Sequence, residues 1–406
     1  MKNSGIEWIG EIPDNWNITT IKYACVFSPK CSKIVGLGIE NEITYTPMEY
    51  IKNGYYIQNT KIIADIPSSL TMYEEGDIVM AKVTPCFENG NIARMDNLVN
   101  GVGVGSSELY VFRTKKYNRD YLFYLLQNYI FKDCAASTMI GTGGLKRVSS
   151  HFIKNSKQPF PPISEQKAIA EFLDKKCGEV DALIADIQQE IETLEQYKRS
   201  VITEAVTKGL DPSVPMKDSG IDWVGIMPKY WKKMPNKYLM YKEKTICPVY
   251  NGESILSLTM KGVVVRDLEA GGKMPTSFDG YQQIKAGNLL MCLFDIDVTP
   301  RCIGLICNNG VTSPAYSQFI MKKNAYAPFY SYYYLMVDFT KELLHMAKNL
   351  RHSLNEEQFG AILAPVPPIE EQQQIADYLD KKCKEIEGVI ADKQSQIETL
   401  ESYKKS

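Results

Sequence analysis

The chain has 406 residues, of which 44% are hydrophobic, 11% aromatic and 23% charged, and its 46 basic side chains nearly balance 48 acidic ones. These are globular fractions, the length predicts two or three domains, and a net charge of −2 argues against a histone-like or wholly disordered protein. Because no apolar run approaches the roughly 18 residues of a membrane span, no apolar segment follows Met1 as a secretory signal would, and the ten Cys form no CxxC pair, we expect a soluble, cytoplasmic protein with reduced thiols.

The opening motif of the chain returns near its middle. Residues 4–10 recur as residues 219–225 with two conservative changes, and Pro13 and Trp16 recur as Pro228 and Trp231. All four Trp of the protein lie in these two copies. Such self-similarity predicts a doubled architecture and has to be recognised before single motifs are weighed.

A second repeat is longer and acidic. Residues 161–200 match residues 367–406 at a constant offset of 206, with 25 identities in 40 positions, whereas the stretches between the repeats barely resemble each other and are mildly basic. We call the repeated segments the frames and the stretches between them the inserts. Nearly identical frames around different inserts indicate one scaffolding role performed twice and two separate recognition roles. The alternative, duplication followed by drift, would blur frames and inserts alike.

The acidic repeats have the spacing of long helices. Apolar residues follow one another at alternating steps of four and three, which predicts a two-stranded coiled-coil seam, and Lys393 interrupts the second copy. The predicted helix–helix seam consists of Leu173, Cys177, Val180, Ile184, Ile187, Ile191 and Leu194 in the first copy, and of Leu379, Cys383, Ile386, Ile390, Ile397 and Leu400 in the second. Two such helices in one chain pack most simply against each other in antiparallel orientation, around an approximate two-fold axis.

These patterns predict an α+β fold with two mixed α/β domains joined by two long antiparallel coiled-coil helices. The predicted boundaries are 1–160 for the first domain, 161–208 for the first helix, 209–216 for a linker, 217–366 for the second domain and 367–406 for the second helix.

The first insert contains short predicted strands at 76–83 and 108–112 and a predicted helix at 121–135. A loop follows the first strand, and a glycine-rich stretch at 100–107 lacks the spacing of a dinucleotide fingerprint. Residues 141–147 form a flexible basic loop that could grip phosphates, although an ordinary solvated turn explains the same residues.

The second insert contains a predicted buried strand at 287–294 that runs into Asp295 and Asp297. Two Asp spaced by two on a strand share a face, but the sequence places no third ligand beside them, so we predict no metal site. Residues 349–354 stand at the same distance before a Pro-Pro pair as residues 145–148, and they too are basic.

Enzymatic motifs are missing from the sequence. It contains no Walker loop, no nucleophile elbow and no HExxH zinc motif, so we predict no catalytic residue. Asp174-Lys175-Lys176 and Asp380-Lys381-Lys382 imitate a nuclease site, but we expect them to be solvated charges on the outer face of the coiled coil.

Taken together, these residues resemble the specificity subunit of a type I restriction–modification system. The resemblance rests on the opening motif with Trp16, on Pro161 to Gln166 with the following long helix, and on Thr207 to Pro212. Residues 82–90 and 291–300 also look like loops of that family's recognition domains. The resemblance covers essentially the whole chain, but the sequence ends at Ser406, before a counterpart of residues 201–212, and we expect this end to mark either a natural terminus or a shortened chain.

The resemblance implies a non-catalytic subunit that reads double-stranded DNA. Each insert would be a target recognition domain for one half of a bipartite, asymmetric sequence, and the helices would fix the spacer between the halves. The helices would also dock two methyltransferase (modification) subunits, and restriction/translocase subunits would complete the complex. S-adenosylmethionine, ATP and Mg²⁺ would then belong to these partners, and this chain would bind no cofactor.

The candidate DNA contacts are chosen by residue type and loop position, since Arg and Lys suit guanine edges or phosphates and Asn suits adenine edges. They are Lys82, Thr84, Asn89, Arg94, Ser106, Ser107, Lys146 and Arg147 in the first insert, and Asp297, Thr299, Arg301, Ser317, Arg351 and His352 in the second. Two other functions stay open from the sequence: a stand-alone DNA-binding regulator, and a coiled-coil adaptor whose inserts bind no nucleic acid.

Overall fold

The protein consists of two compact units in the computed structural model, which describes residues 1–142, 144–268, 275, 277–347 and 352–405. The first unit comprises Met1–Ala185 together with Ile397–Ser406, and the second comprises Asp186–Gln396. Each unit therefore contains one insert and parts of both acidic repeats.

The first unit is built on a mostly antiparallel five-stranded sheet. In spatial order its strands are Cys25–Phe27, Leu109–Thr114, Ile78–Ala81, Ile92–Arg94 and Asn53–Gly54. All four residues of the central strand are buried, so the strand predicted at 76–83 lies in the core. A second sheet has the order Thr60–Ile62, Glu42–Thr46, Val102–Gly105 and Thr71–Glu74.

Smaller pairs and helices complete the first unit. The paired strands are Lys2–Asn3 with Glu11–Ile12, Asn17–Thr20 with Lys157–Phe160, and Ile140–Thr142 with Leu145–Arg147, and the helices are Ile21–Ala24, Arg119–Gln127, Tyr129–Ser137 and Ser150–Asn155. The single helix predicted at 121–135 is wrong, because the chain breaks at Asn128, which has φ −51° and ψ 128°. The Asn128 side chain accepts a hydrogen bond from the backbone N–H of Phe131, and this cap starts a new helix.

The second unit repeats the central strand order with a different sequence. Its four-stranded antiparallel sheet runs Met240–Glu243, Ser317–Met321, Leu289–Met291 and Ile303–Leu305, beside a three-stranded sheet of Thr245–Ile246, Gln282–Ile284 and Gly310–Thr312. The remaining pairs are Met216–Asp218 with Ile226–Pro228, Lys232–Pro235 with Leu363–Val366, and Leu256–Thr259 with Gly262–Val265. The helices are Ala327–Phe339 and Glu356–Ala361, and the longer one buries Tyr330, Tyr333 and Tyr334.

Two long helices carry the acidic repeats: the first spans Ile163–Lys208 and the second Ile369–Lys405. Each begins directly after a Pro-Pro pair and has glutamate in its first turn, where the helix dipole favours negative charge. Gly209 follows the first helix with φ +78°, the left-handed conformation typical of a residue just past a helix end.

The two long helices run antiparallel. In the second unit Glu190 pairs with Lys393 and Lys198 pairs with Glu387, so residue numbers rise on one helix as they fall on the other. Lys393, which interrupts the seam pattern, is thus held by a carboxylate of the facing helix. Every predicted seam position is buried or partly buried. The chain is α+β, with two mixed domains and two long antiparallel helices, which confirms the predicted fold class.

Each unit is fixed to the start of its own long helix by the same hydrogen bonds. The indole N–H of Trp16 donates to Glu165 at 3.2 Å, and that of Trp231 donates to Glu371 at 3.0 Å. The next residue on each helix is a buried glutamine that adds a further pair of bonds. Gln166 accepts from the backbone N–H of Asn118 and donates to the carbonyl of Pro161, and Gln372 does the same with Tyr326 and Pro367.

Although the frames repeat, they are not equally buried. Seven apolar positions are partly exposed in the first unit and buried at the equivalent place in the second: Ile6, Ile9, Pro13, Trp16, Ile169, Leu173 and Cys177 against Ile221, Val224, Pro228, Trp231, Ile375, Leu379 and Cys383. The end of the first long helix supplies the extra cover in the second unit, because Val201, Ile202, Ala205 and Val206 belong to the same core as Trp231 and Leu379.

None of the helices in the described part of the chain combines the length and the apolar character that a membrane crossing requires.

Because the repeated frame is more deeply buried in the second unit than in the first, matched substitutions in the two copies should have unequal effects. We expect Trp231→Ala, at a side chain that is 1% exposed, to lower the unfolding free energy of the second unit by about 3–5 kcal/mol. Trp16→Ala should cost the first unit about half as much, because Trp16 is already partly in water. Hydrogen exchange of the full chain measures the opening of each unit separately, and Phe at the same positions isolates the indole hydrogen bond. Equal losses would contradict the assignment of cover to residues 201–206.

Candidate nucleic-acid interface

A small β-hairpin projects from the first unit. Its strands Ile140–Thr142 and Leu145–Arg147 are exposed at all six residues. The hairpin is held by the loop that follows the central strand, since the backbone N–H of Thr84 donates to the carbonyl of Lys146 and that of Val148 donates to the carbonyl of Lys82, both at 2.9 Å. The Thr84 hydroxyl adds a bond to the carbonyl of Gly144 at 2.7 Å and accepts from the N–H of Lys146.

Charged groups flank the base of this hairpin. Arg147 donates two hydrogen bonds to the carboxylate of Glu108, at 2.7 and 2.9 Å. These bonds lower the pKa of Glu108, and the nearby ammonium of Lys82 acts in the same direction. Lys82 donates to the carbonyl of Ser107 at 2.8 Å and stands over the ring of Tyr110. Among these bonded groups the cations Lys82, Lys146 and Arg147 outnumber the carboxylate of Glu108, as a phosphate-facing surface requires.

The structure thus brings five of the eight candidates of the first insert into one hydrogen-bonded group: Lys82, Thr84, Ser107, Lys146 and Arg147. Asn89 is exposed in the loop that begins at Thr84, and the Ser106 hydroxyl accepts from the backbone N–H of Glu108.

Arg94 belongs to a different cluster. Its guanidinium binds Asp174 at 2.9 Å and Asp120 at 3.2 Å and stacks on the ring of Phe123. Tyr124 also donates to Asp174, at 2.8 Å. This geometry corrects the expectation that Asp174 is merely a solvated charge, because the carboxylate joins the long helix to the sheet and the helix that carry Arg94 and Tyr124. Its counterpart Asp380 likewise accepts a hydrogen bond from Tyr332, at 2.7 Å.

The second unit has an equivalent surface at the same place in its fold. The turn after strand Leu289–Met291 is bonded to the segment before helix Glu356–Ala361: the N–H of Leu354 donates to the carbonyl of Leu293 at 2.8 Å, and the N–H of Ile296 donates to that of His352 at 3.3 Å. Leu354 and Val148 are related by the offset of 206, so both units join the same two segments.

The candidates of the second insert are distributed differently around this turn. Asp297 and His352 are both exposed, with 3.9 Å between the carboxylate Oδ2 of Asp297 and the Nε2 of His352. Val298, which lies between Asp297 and Thr299 in the chain, is 74% exposed. The Thr299 hydroxyl donates to the carbonyl of Asp295, which has φ +46° in a turn and is therefore not on the strand we predicted.

Arg301 and Ser317 point into the protein. The Arg301 guanidinium donates to the carbonyls of Ile303 and Met260, and burial lowers its pKa. Ser317 is 6% exposed on its strand. Arg351 lies outside the described residues.

Sequence reasoning missed two prominent residues of the first surface. Ile140 is 80% exposed and Leu145 is 56% exposed, and both lie on the hairpin beside the basic candidates. Their position next to the glycines of a basic loop was the available signal, because an apolar residue in such a loop has no obvious core to fill.

The doubled fold and its two equivalent surfaces define a class of protein. The chain belongs to the family of the type I restriction modification DNA specificity domain, whose pattern matches residues 29–193 and 304–399. The first match contains the hairpin surface and much of the first long helix, and the second contains the segment around His352 and most of the second helix.

Individual relatives carry the same family name. The chain is 33% identical to the type I restriction enzyme EcoAI specificity subunit of Escherichia coli over 221 residues, which is 53% of this chain and 36% of that subunit. It is 32% identical to the EcoEI specificity subunit of Escherichia coli over 202 residues, 48% of this chain and 33% of that subunit. The matched part thus spans about a third of these two relatives. A longer match, at 25% identity, covers 97% of this chain and 91% of the MjaVIII specificity subunit of Methanocaldococcus jannaschii.

Two solved structures share the fold. A chain from work on complex assembly and conformational transition of the type I R-M system aligns over 97% of both chains with a TM-score of 0.73 and 14% identity. The HsdS subunit from Thermoanaerobacter tengcongensis aligns over 97% of this chain and 96% of its own, with a TM-score of 0.51 and 16% identity.

The Asp174 cluster leads to a pH-dependent prediction. Burial alone would raise the pKa of Asp174, but hydrogen bonds from Arg94 and Tyr124 outweigh it and lower the pKa. A lowered pKa stabilises the folded state above the unfolded value of about 3.9, and this stabilisation is lost as the pH falls through the folded value. Asp174→Asn should therefore cost the first unit about 1 kcal/mol at pH 7, a figure reduced for partial exposure.

Hydrogen exchange of the first unit across the acid range measures this loss. The difference between Asp174→Asn and the parent chain should shrink as the pH is lowered. Asp380→Asn is the matched control: it removes the charge of the acceptor for Tyr332 but breaks no arginine pair among the described contacts, so its effect should be smaller. A loss that is the same at every pH would contradict the role of the charge.

Proposed function

We propose that this chain is the non-catalytic DNA sequence-recognition subunit of a type I restriction–modification complex. Membership of the specificity-domain family, with matches in both units, is the observation that carries the proposal. The relatives named above are specificity subunits, which supports the same role here. In this role the two units read the two halves of a bipartite, asymmetric DNA target.

The two equivalent surfaces support an asymmetric target. The first presents Lys146 and Arg147 on a hairpin, with apolar neighbours, whereas the second presents an Asp297–His352 pair on a turn. Side chains of such different donor and acceptor character select different base edges in the major groove. The two copies of the same frame therefore hold two different reading surfaces, one in each unit.

The long helices supply the proposed docking sites for partners. Because the frame is repeated, two copies of a methyltransferase subunit can bind in equivalent ways, and restriction/translocase subunits would join for cleavage. S-adenosylmethionine, ATP and Mg²⁺ would act on those partners, and this chain would need no cofactor of its own. The site of action would be the cytoplasm.

Methylation sequencing tests the proposal directly. Cells carrying the cognate methyltransferase gene are compared with and without this chain, and methyl-adenine should appear at one split motif only when the chain is present. Exchanging residues 1–160 for those of a relative should change one half of the motif and leave the other half and the spacer intact. If the subunits co-purify but no motif appears, the chain docks without reading DNA; if neither occurs, the adaptor alternative replaces the proposal.

Arg147 provides a sharper test of the first surface. Arg147→Ala should weaken binding to the split motif about tenfold at moderate salt, in the range of one lost base or phosphate contact. The loss should act through the first half-site only, and selectivity in that half relaxes if the lost contact is to a base. Lys61→Ala, on the other sheet of the same unit, is the control for loss of one positive charge. Since the variant also leaves Glu108 unpaired, Arg147→Ala with Glu108→Gln separates lost contact from added repulsion. Unchanged affinity would remove Arg147 from the interface.

A further inference from the structure

The exposed hairpin of the first unit has two chemically different faces. Ile140 stands opposite Arg147 and Thr142 opposite Leu145, while Gly141 stands opposite Lys146. Side chains that are directly opposite in an antiparallel pair project to the same side, and alternate residues share a side. One face therefore carries Ile140, Thr142, Leu145 and Arg147 together, and the other carries only Lys146.

The apolar residues on the first face lie outside the hydrophobic cores of the described residues. Ile140 and Leu145 are 80% and 56% exposed and belong to no described core cluster, and the hairpin is held instead by bonds to Lys82 and Thr84. A two-stranded ribbon is marginal in water by itself, so these anchoring bonds position the exposed face. Two large apolar side chains on an anchored projection indicate contact with another molecule.

Charge and shape favour duplex DNA as that molecule. The face also carries Arg147, which is paired with Glu108, and the ammonium of Lys82 lies near that pair, while Lys146 projects from the opposite face of the ribbon. These cations outnumber the one carboxylate, so phosphates would be attracted to the hairpin. The major groove admits a two-stranded ribbon, and the thymine C5-methyl is the apolar group that the base edges present there. Duplex DNA supplies both the phosphates that the cations would bind and an apolar group for the apolar pair.

Building on the proposed function, we infer that Ile140 and Leu145 read a thymine methyl group in the half-site of the first unit. The hairpin lies in the major groove, with its apolar pair against the methyl and with Arg147 directed to a base edge or phosphate beside it. This assigns to two residues outside the basic set a share of the sequence selectivity of the first unit.

Replacement of thymine by deoxyuridine removes only the methyl group and tests the inference. The full chain with its methyltransferase partner is titrated with duplexes of the motif found by sequencing, in which each thymine of either strand is replaced singly. At one position of the first half-site the replacement should weaken binding about fourfold, the equivalent of one methyl buried. Leu145→Ala or Ile140→Ala should reduce that difference to less than twofold, because the receiving surface is gone.

Val298→Ala is the matched control, since it truncates an exposed apolar residue of the second unit and should leave the first half-site preference unchanged. A first half-site that contains no A·T pair, or one at which every deoxyuridine duplex binds like the parent, overturns the inference while DNA recognition itself stands. Loss of methyltransferase co-purification in Leu145→Ala, with thymine preference intact, would also overturn it in favour of protein docking. Absence of specific binding by the unaltered complex would instead refute the proposed function.

Discussion

The fold depends on a short polar junction where each long helix begins. In both copies a glutamate accepts a hydrogen bond from an indole N–H of the opening motif. The neighbouring glutamine bonds to the backbone of the same unit and to a proline just before the helix. Gln166 and Gln372 are buried at 1% and 0% exposure, so breaking these bonds would leave amide groups unsatisfied away from water. The junction therefore fixes the direction of a rigid helix against a domain whose remaining sequence is free to vary.

That freedom is visible in the two surfaces that occupy the same place in each unit. Backbone bonds join the turn after a central strand to the segment before a short helix in both, yet one surface is a basic, partly apolar hairpin and the other is a turn with an Asp–His pair. Conserving the backbone connection while changing the side chains lets one architecture present two chemically different surfaces without rebuilding the core.

The frame could be predicted from sequence because repetition and heptad spacing are properties of the chain itself. The long helices, their antiparallel packing and the central strands follow from such local signals. The break at Asn128 did not, since a capping asparagine inside an apolar run looks like one more helical residue. Nor did the role of Arg94, because only the fold brings Asp120 and Asp174 to it. Ile140 and Leu145 were missed because an apolar residue is normally expected to be buried, and only the folded structure shows that no other segment covers these two side chains.

The end of the first long helix has a consequence for how such genes can recombine. Val201, Ile202, Ala205 and Val206 precede the second insert in sequence but lie in the core of the second unit. A crossover before the Pro-Pro pair of the first helix exchanges the whole first domain and leaves the core of the second unit intact. A crossover at Gly209 would instead bring in a second domain whose core had evolved to pack against different helix residues. In the hybrid protein, that core would not fit Val201, Ile202, Ala205 and Val206. Packing therefore sets the limits of the segment that can be exchanged: the end of the first helix has to be exchanged together with the second domain, whose core it covers.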